Sequence, residues 1–400
     1  MIVILLGASA LSATLDPAAE ITAAITPLVQ QISAKYNCSV SVGIRGAGDS
    51  PMTVAVAAGV IDRASGKAAA TKDPYVWGSV TKLVTGTGVL RLVDAGKLGL
   101  DDPVPPLIDP LLAKMAAKDP SQKFASLSEL WGPEVSKITV RDLLGMHSGV
   151  PDYDTASPGS HPSDTFRADA YAHPETSYTP TQLLGLDWVV TGKLLFPPGT
   201  CDKAKYFNCY SSTNYVLLGL LLACQAGVDD WQAYAQAQAL ADVAATLPSL
   251  QFAVHGPPKQ WTPVVGYDQT HYNNQTGKGI DVSAVAGVFG GWTASDVLLT
   301  AVDAAALVQA VYGPSYELLS EPLVDLMYSA SNDTGYGLST FNLTRLTPND
   351  VAYGHLGDLP RPATTFYDLP RPATTYHDLL WPSLTCHDLP RPPLAFLDLT

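Results

Sequence analysis

The chain carries strand-like sequence near both of its ends and helix-periodic sequence between them. A sheet assembled from the two ends, with the helical part inserted, satisfies that order. Residues 17–36 carry Ile21, Ile25, Val29 and Ile32 on one helical stripe. Ser39-Val40-Ser41-Val42-Gly43-Ile44 then alternates as a strand does, and Met52 to Gly59 reads as its hairpin partner across Gly46 to Pro51. Val80, Leu83, Val84, Thr87, Leu90 and Val93 recur at threes and fours, and Gly96 marks the end of that helix. Ile138 to Leu144 opens a short helix with Thr139 as its cap, and residues 154–180 read as a polar surface loop. Asn214 to Ala226 is a strongly apolar helix, Asp230 to Ala245 an Ala-rich one, and another follows Gly290 to Asp296. Thr334 to Ser339 and Val351 to Gly357 read as late strands. The fold class expected is α/β (α+β): an antiparallel sheet flanked by helices plus a helical lobe over roughly residues 95–285, the domain as a whole spanning 17–357.

From Asp358 the sequence repeats every ten residues as Asp-Leu-Pro-Arg-Pro-Ala-Thr-Thr, with degraded copies at Asp378 and Asp388 and a fragment at Asp398. Proline at fixed positions in each copy forbids a continuous hydrogen-bonded ladder. Residues 358–400 are therefore expected to be an extended, disordered tail. A tandem-repeat tract read through as protein accounts for it better than a binding module does.

A formal net charge of -14 argues against nucleic acid and anionic membrane surfaces as partners. Met1 to Leu6 is a short apolar run followed by Ala8-Ser9-Ala10 and Leu11-Ser12-Ala13, which fits a signal peptide over 1–13. The basic leader of such a signal is missing, and a buried first strand is the alternative. No other segment has the length of apolar sequence needed to span a bilayer. Sequons at Asn37, Asn274, Asn332 and Asn342 add mild support for a secreted or endomembrane-lumen location. Cys201 and Cys209 flank a short polar segment and suit a local disulfide in an oxidising compartment. Cys38 and Cys224 either pair or stay buried as thiols, and the state of Cys386 is open. The histidines are scattered and no metal-ligand spacing occurs, so neither metal nor cofactor is expected.

Ser79-Val80-Thr81-Lys82 places a hydroxyl and an amine three residues apart, on one face of a helix start. An alcohol nucleophile needs such a base to attack a carbonyl. Alone, the pattern fits an N-capping serine with a solvated lysine better. Its companions change the balance. In order they are Leu143-Leu144-Gly145-Met146-His147-Ser148-Gly149-Val150-Pro151, Tyr210-Ser211-Ser212, Gly290-Gly291-Trp292-Thr293-Ala294-Ser295-Asp296 and Tyr353-Gly354-His355-Leu356-Gly357.

With these motifs the chain resembles the serine beta-lactamase-related family over roughly residues 20–357. That family comprises class C beta-lactamases, D-alanyl-D-alanine carboxypeptidases and esterases of the same penicillin-binding-protein-like fold. The resemblance implies a beta-lactamase/transpeptidase-like fold and a serine hydrolase working through an acyl-enzyme on an ester, amide, D-Ala-type peptide or beta-lactam. It implies Ser79 as nucleophile, Lys82 as the amine that helps remove its proton, and Tyr210 as sharing general-base and general-acid work; which of the two is the base stays open. It implies an oxyanion hole from the backbone N–H groups of Ser79 and Asp358, with His355 holding the polar end of the substrate beside Gly357. Two departures stand out. The usual Tyr-x-Asn is Tyr210-Ser211-Ser212 here, with Asn214 two places on, which tilts the expectation to ester or amide hydrolysis. The repeat begins one residue past Gly357, where the family has a further strand and a helix; a truncated or non-catalytic relative, with a binding role or none, is the alternative. Oligomeric state stays open. His147 is expected to serve a structural turn, and Asp152, Asp154, His161 and Asp164 a solvated acidic loop.

Overall fold

The first helix, α1 (Pro17–Tyr36), starts where Asp16 accepts the Ala18 N–H at 3.0 Å and ends at Asn37, whose φ of 48° turns the chain out of the helix. This is a computed structural model, and it describes residues 3–4, 16–46, 52–154, 166–201, 209–253, 267–268, 280–344 and 352–357. The repeat from Asp358, Asn274, His161, Asp164 and Cys386 lie outside the described residues, as does all of 1–13 except Val3–Ile4.

Strands β2 (Val40–Arg45) and β3 (Thr53–Ala58) form the predicted antiparallel hairpin, with Val40 opposite Ala58 and Arg45 opposite Thr53. Val3–Ile4, β1, lies parallel to β2 in register with Gly43 and Ile44. Strand β2 is buried on both faces, and its sequence says how. Val40, Val42 and Ile44 join Val29, Val54 and Val56 in a cluster under α1. The small residues Ser41 and Gly43 take the other face, where the backbone of Ala301 passes so near that a Cβ on Gly43 would lie 2.1 Å from its carbonyl oxygen.

A second sheet joins β4 (Tyr75–Val76), β5 (Gln251–Phe252) and β6 (Val297–Leu299), with β6 in the middle and both pairings antiparallel. A short ribbon, β7 (Phe341–Asn342) with β8 (Tyr353–Gly354), pairs antiparallel near the end of the described chain. The main core surrounds α2 (Thr81–Asp94) and holds α3 (Pro105–Lys118) and the strongly apolar α5 (Thr213–Gln225). Between α3 and α5, α4 (Val140–Leu144) begins with Thr139 and Asp142 in a reciprocal capping box. Helix α6 (Ala301–Tyr312) packs on β2, and α7 (Glu321–Thr334) leads to the ribbon. Helix α2 is buried all round from Thr81 to Leu90, so its glycines and threonines face neighbouring chain rather than water. Among the described residues no helix is long and apolar enough to cross a membrane.

Two expectations are corrected and one open choice is decided. Asp230 to Ala245 is not one helix but two 3-10 segments, Trp231–Ala233 and Gln236–Thr246, the second interrupted at Ala241, where φ is 48°. Alanine's helix preference yields there to packing, since Ala239 presses on α2 where a Cβ on Gly88 would lie 2.7 Å from the Ala239 side chain. Thr334 to Ser339 is not a strand, because α7 runs on to Thr334 and positive φ at Gly335 and Ser339 bends the chain around a single bridge between Tyr336 and Phe341. Cys224 is a free thiol, the second of its two alternatives, and does not pair with Cys38, which is itself disulfide-bonded; Cys201 and Cys209 form the predicted disulfide. Asn37 is exposed; Asn342 lies half-buried on β7.

Candidate active site

Ser79 sits on a 3-10 turn, Gly78–Val80, that runs directly into α2. Gly78 has φ 50°, a backbone conformation that a side chain disfavours. The turn is bolted to β6 from both sides. Trp77 donates its backbone N–H to Val297 at 3.0 Å and its indole N–H to Leu299 at 2.9 Å. Thr81 donates its hydroxyl to Gly78 at 2.7 Å and accepts the Val297 N–H at 2.9 Å. The Ser79 side chain is half-buried at the end of this frame.

Lys82 is fully buried, which rules out the solvated-lysine reading of the motif. Its Nζ lies 2.9 Å from Ser79 Oγ and 3.0 Å from the Ala294 carbonyl oxygen. It also stands 5.3 Å from the centroid of the Tyr210 ring and 5.7 Å from that of Tyr215. Ser79 is not an N-cap either, since the residue before α2 is Val80 in helical conformation. Burial pulls the Lys82 amine down to about 8, while the negative charges of Asp152 and Asp154 oppose that fall. Near that value the amine holds and releases a proton readily at neutral to mildly alkaline pH.

Tyr210 immediately follows the Cys201–Cys209 disulfide and precedes α5. The segment after α4 cradles this stretch. Asp152 accepts the Ser212 N–H at 3.0 Å, and Thr213 Oγ1 accepts the Tyr153 N–H at 3.0 Å. Met146, at φ 64°, turns its sulfur toward the Ser211 N–H and the Asn214 amide. Asn214 is fully buried, donates to the Ser211 carbonyl at 3.0 Å and accepts from the Ser148 hydroxyl. It therefore braces the turn from inside and does not face a substrate. Ser212 is buried with it. Asp152 is likewise not part of a solvated loop, being half-buried and hydrogen-bonded to the turn that carries Tyr210. His147 is partly buried in a turn, its N–H bonded to the Asp142 carbonyl at 2.7 Å.

The facing wall comes from the ribbon. Tyr210 stacks near Phe341, with centroids 6.3 Å apart, and meets the edge of Tyr336 at 5.9 Å. His355 packs edge-on to Phe341 and Tyr336. Its Nδ1 is 2.7 Å from the Leu356 carbonyl oxygen, which can only accept, so Nδ1 carries the proton and Nε2 accepts from the Tyr336 hydroxyl at 3.0 Å. Burial, with help from the Lys82 charge, pushes this imidazole down and keeps it neutral. The expected holder of a substrate's polar end thus has both ring nitrogens engaged. Tyr336 in turn lies 3.0 Å from the Tyr215 hydroxyl, which bonds the Leu144 carbonyl at 2.9 Å and Ser339 at 2.7 Å. Gly357 runs against the nucleophile turn, where a Cβ would lie 1.8 Å from the Trp77 carbonyl oxygen. Asp358, the second expected oxyanion donor, lies outside the described residues.

Sequence reasoning missed Asp152, the Ala294 carbonyl and the aromatic pair Tyr336 and Phe341. Asp152 directly follows the Ser148-Gly149-Val150-Pro151 motif, and its place there was the one available signal. Among the described residues no three His, Cys, Asp or Glu side chains converge to hold a metal ion.

Comparison with known proteins places the fold. The Beta-lactamase family model matches residues 37–371. The fold is similar to that of a D-amino acid amidase from Ochrobactrum anthropi SV3, at 19% identity and a TM-score of 0.61, over 84% of this chain and 85% of that one. A D-stereospecific amidohydrolase from Streptomyces sp. matches at 20% identity and TM-score 0.59, over 83% and 86%. A penicillin binding protein from Bacillus halodurans matches at 21% identity and TM-score 0.55, over 78% and 82%.

Proposed function

The chain belongs to the beta-lactamase family, and from that premise we propose that it hydrolyses an amide or ester through a covalent acyl-enzyme on Ser79. The observation that carries this reading is the buried Lys82 amine 2.9 Å from the Ser79 hydroxyl. In the neutral form Lys82 takes the Ser79 proton while its N–H stays on the Ala294 carbonyl. The serine oxygen adds to the substrate carbonyl, and backbone N–H groups at Ser79 and Asp358 would hold the resulting oxyanion. The amine or alcohol then leaves with a proton delivered through Lys82 and Tyr210, and the acyl group stays on Ser79. Water, deprotonated by the same groups, attacks the acyl ester, releasing the acid and restoring the serine.

The state of His355 bears on substrate class. A neutral imidazole with both nitrogens occupied offers neither charge nor a free N–H to a substrate carboxylate. That favours an amide or ester without an anionic anchor over a beta-lactam or a D-Ala-terminated peptide, each of which carries a carboxylate. The similarity to a D-amino acid amidase and to a D-stereospecific amidohydrolase points the same way. The Cys201–Cys209 disulfide supports a secreted or luminal setting.

A fluorophosphonate probe tests the reaction. Labelling of the native protein that disappears in Ser79→Ala supports a serine hydrolase, whereas absence of labelling in folded native protein supports a non-catalytic relative. Faster turnover of p-nitrophenyl acetate or a D-amino acid amide than of a chromogenic cephalosporin is the expected substrate order.

A further inference from the structure

Asp296 is fully buried in the segment that holds the reacting groups, yet the reaction above makes no use of it. Its carboxyl accepts the Gln236 amide N–H through Oδ2 at 2.6 Å. The other two oxygens of this pair, Asp296 Oδ1 and Gln236 Oε1, are both buried and have no partner among the described residues. With an ionised carboxylate both would be orphaned acceptors in the interior, beside an uncompensated charge. A proton on Oδ1 removes the charge and turns one of the two orphaned acceptors into a donor. No lysine, arginine or histidine among the described residues pairs with Asp296; Lys82, held by the same segment, bonds the Ala294 carbonyl instead. Burial pushes the Asp296 carboxyl well above the usual carboxylate range, consistent with this geometry.

Its location gives the pair a task. Gln236 sits on the 3-10 segment packed along α2, where Arg91 bonds the neighbouring Gln238 and Ala239 carbonyls at 3.3 Å. Asp296 donates its N–H to Trp292 at 3.1 Å and accepts the Ala253 N–H at 3.1 Å. Two residues before it is Ala294, whose carbonyl receives Lys82, and one after it is Val297, which bonds Thr81 and Trp77. We propose that Asp296 is a neutral carboxylic acid paired with Gln236, and that this pair positions the Ala294 carbonyl that orients Lys82. Asp296 is thus a positioning residue acting through Lys82. An ionised group there would also oppose release of the proton from Lys82.

The test compares wild type, Asp296→Asn and Asp296→Ala by chemical denaturation between pH 5 and pH 8. Above the unfolded carboxyl value of about 3.9 the native state holds a proton that the unfolded chain has lost, so wild type loses stability as pH rises. Asp296→Asn has no such dependence. Its folding constant relative to wild type is therefore expected to grow with pH, by up to about tenfold per pH unit. A ratio that is flat or falls with pH overturns the proposal. This readout needs no activity, so it stands apart from the hydrolase reading. Should Asp296→Asn fail to fold, infrared spectra of the native protein at pH 7 decide, since a protonated-carboxyl stretch is expected and its absence overturns the neutral acid. The positioning role is read from the rate of Ser79 labelling against pH. Asp296→Ala should slow it and displace its rising limb while Asp296→Asn restores both; equal profiles for all three proteins would overturn that role.

Discussion

The two walls of the site are built differently. On one side, Ser79 stands on a 3-10 turn and Lys82 on the buried helix that the turn runs into, both tied by side-chain and backbone hydrogen bonds to β6 and the residues just before it. On the other, His355 and Gly357 follow a two-residue strand in a two-stranded ribbon, held mainly by ring contacts among Tyr336, Phe341 and His355. Proton transfer requires fixed distances near 3 Å, and the densely bonded wall supplies them. On the proposed reading, the thinner wall lies beside the bound substrate. On that reading the two walls can be perturbed separately, and changes to one should leave the other measurable.

The largest effect expected is on the chemical wall. Ser79→Ala should lower turnover by at least about a thousandfold with the fold intact, checked by circular dichroism beside the rate. Lys82→Met should do similar damage to the rate without lowering thermal stability. A lysine brought from 10.5 to about 8 by burial carries a penalty of about 3 kcal/mol, which methionine removes while sacrificing the two hydrogen bonds. A Lys82→Met protein much less stable than wild type would break the view that this wall is organised for reactivity at a cost in stability.

Next comes the ribbon. Gly357→Ala places a methyl group where the Trp77 carbonyl already stands, so the stretch after β8 must move away from the Ser79 turn. A loss of about a hundredfold in kcat/KM is expected, in line with an ångström-scale displacement, with little change in melting temperature. An equally large fall in stability would mean that the two walls are not independent.

The smaller effects are in pH. Activity should rise as pH increases through about 8, because Lys82 must lose its proton to act as base. Asp152→Asn removes a charge that favours the protonated amine, so the rising limb should move to lower pH. An unchanged limb, measured as kcat/KM against pH, would exclude Asp152 from the electrostatics of the site and leave it a structural part, through bonds such as those from the Ser212 and Asp154 N–H groups. Tyr336→Phe frees His355 Nε2 from its donor and should alter KM for carboxylate-bearing substrates more than kcat. Equal change in both would place Tyr336 in the chemistry.

Local features were legible in the sequence because local rules govern them. The period of α1, the β2–β3 hairpin, the Thr139 cap and the three-residue step from Ser79 to Lys82 each depend on neighbours within one element. The Cys201–Cys209 bridge closes a short segment and belongs with them. The family was legible from the order of five motifs, since order survives where identity with solved relatives falls to about one residue in five. Where local preference failed, packing had overruled it, as at Ala241 and in the turn from Gly335 to Ser339.

The sequence by itself determined which groups the site contains: a serine, an amine three residues on, a tyrosine before an apolar helix and a histidine before Gly357. Only the tertiary structure decided their chemical state. Lys82 meets Ala294 across 212 residues of chain, and Asp152 meets Ser212 across 60. The Leu356 carbonyl fixes the tautomer of His355, and Tyr336, 19 residues away in the chain, occupies its other nitrogen. Protonation and hydrogen bonding depend on burial and on what stands within a few ångströms, and neither is a property of spacing along the chain.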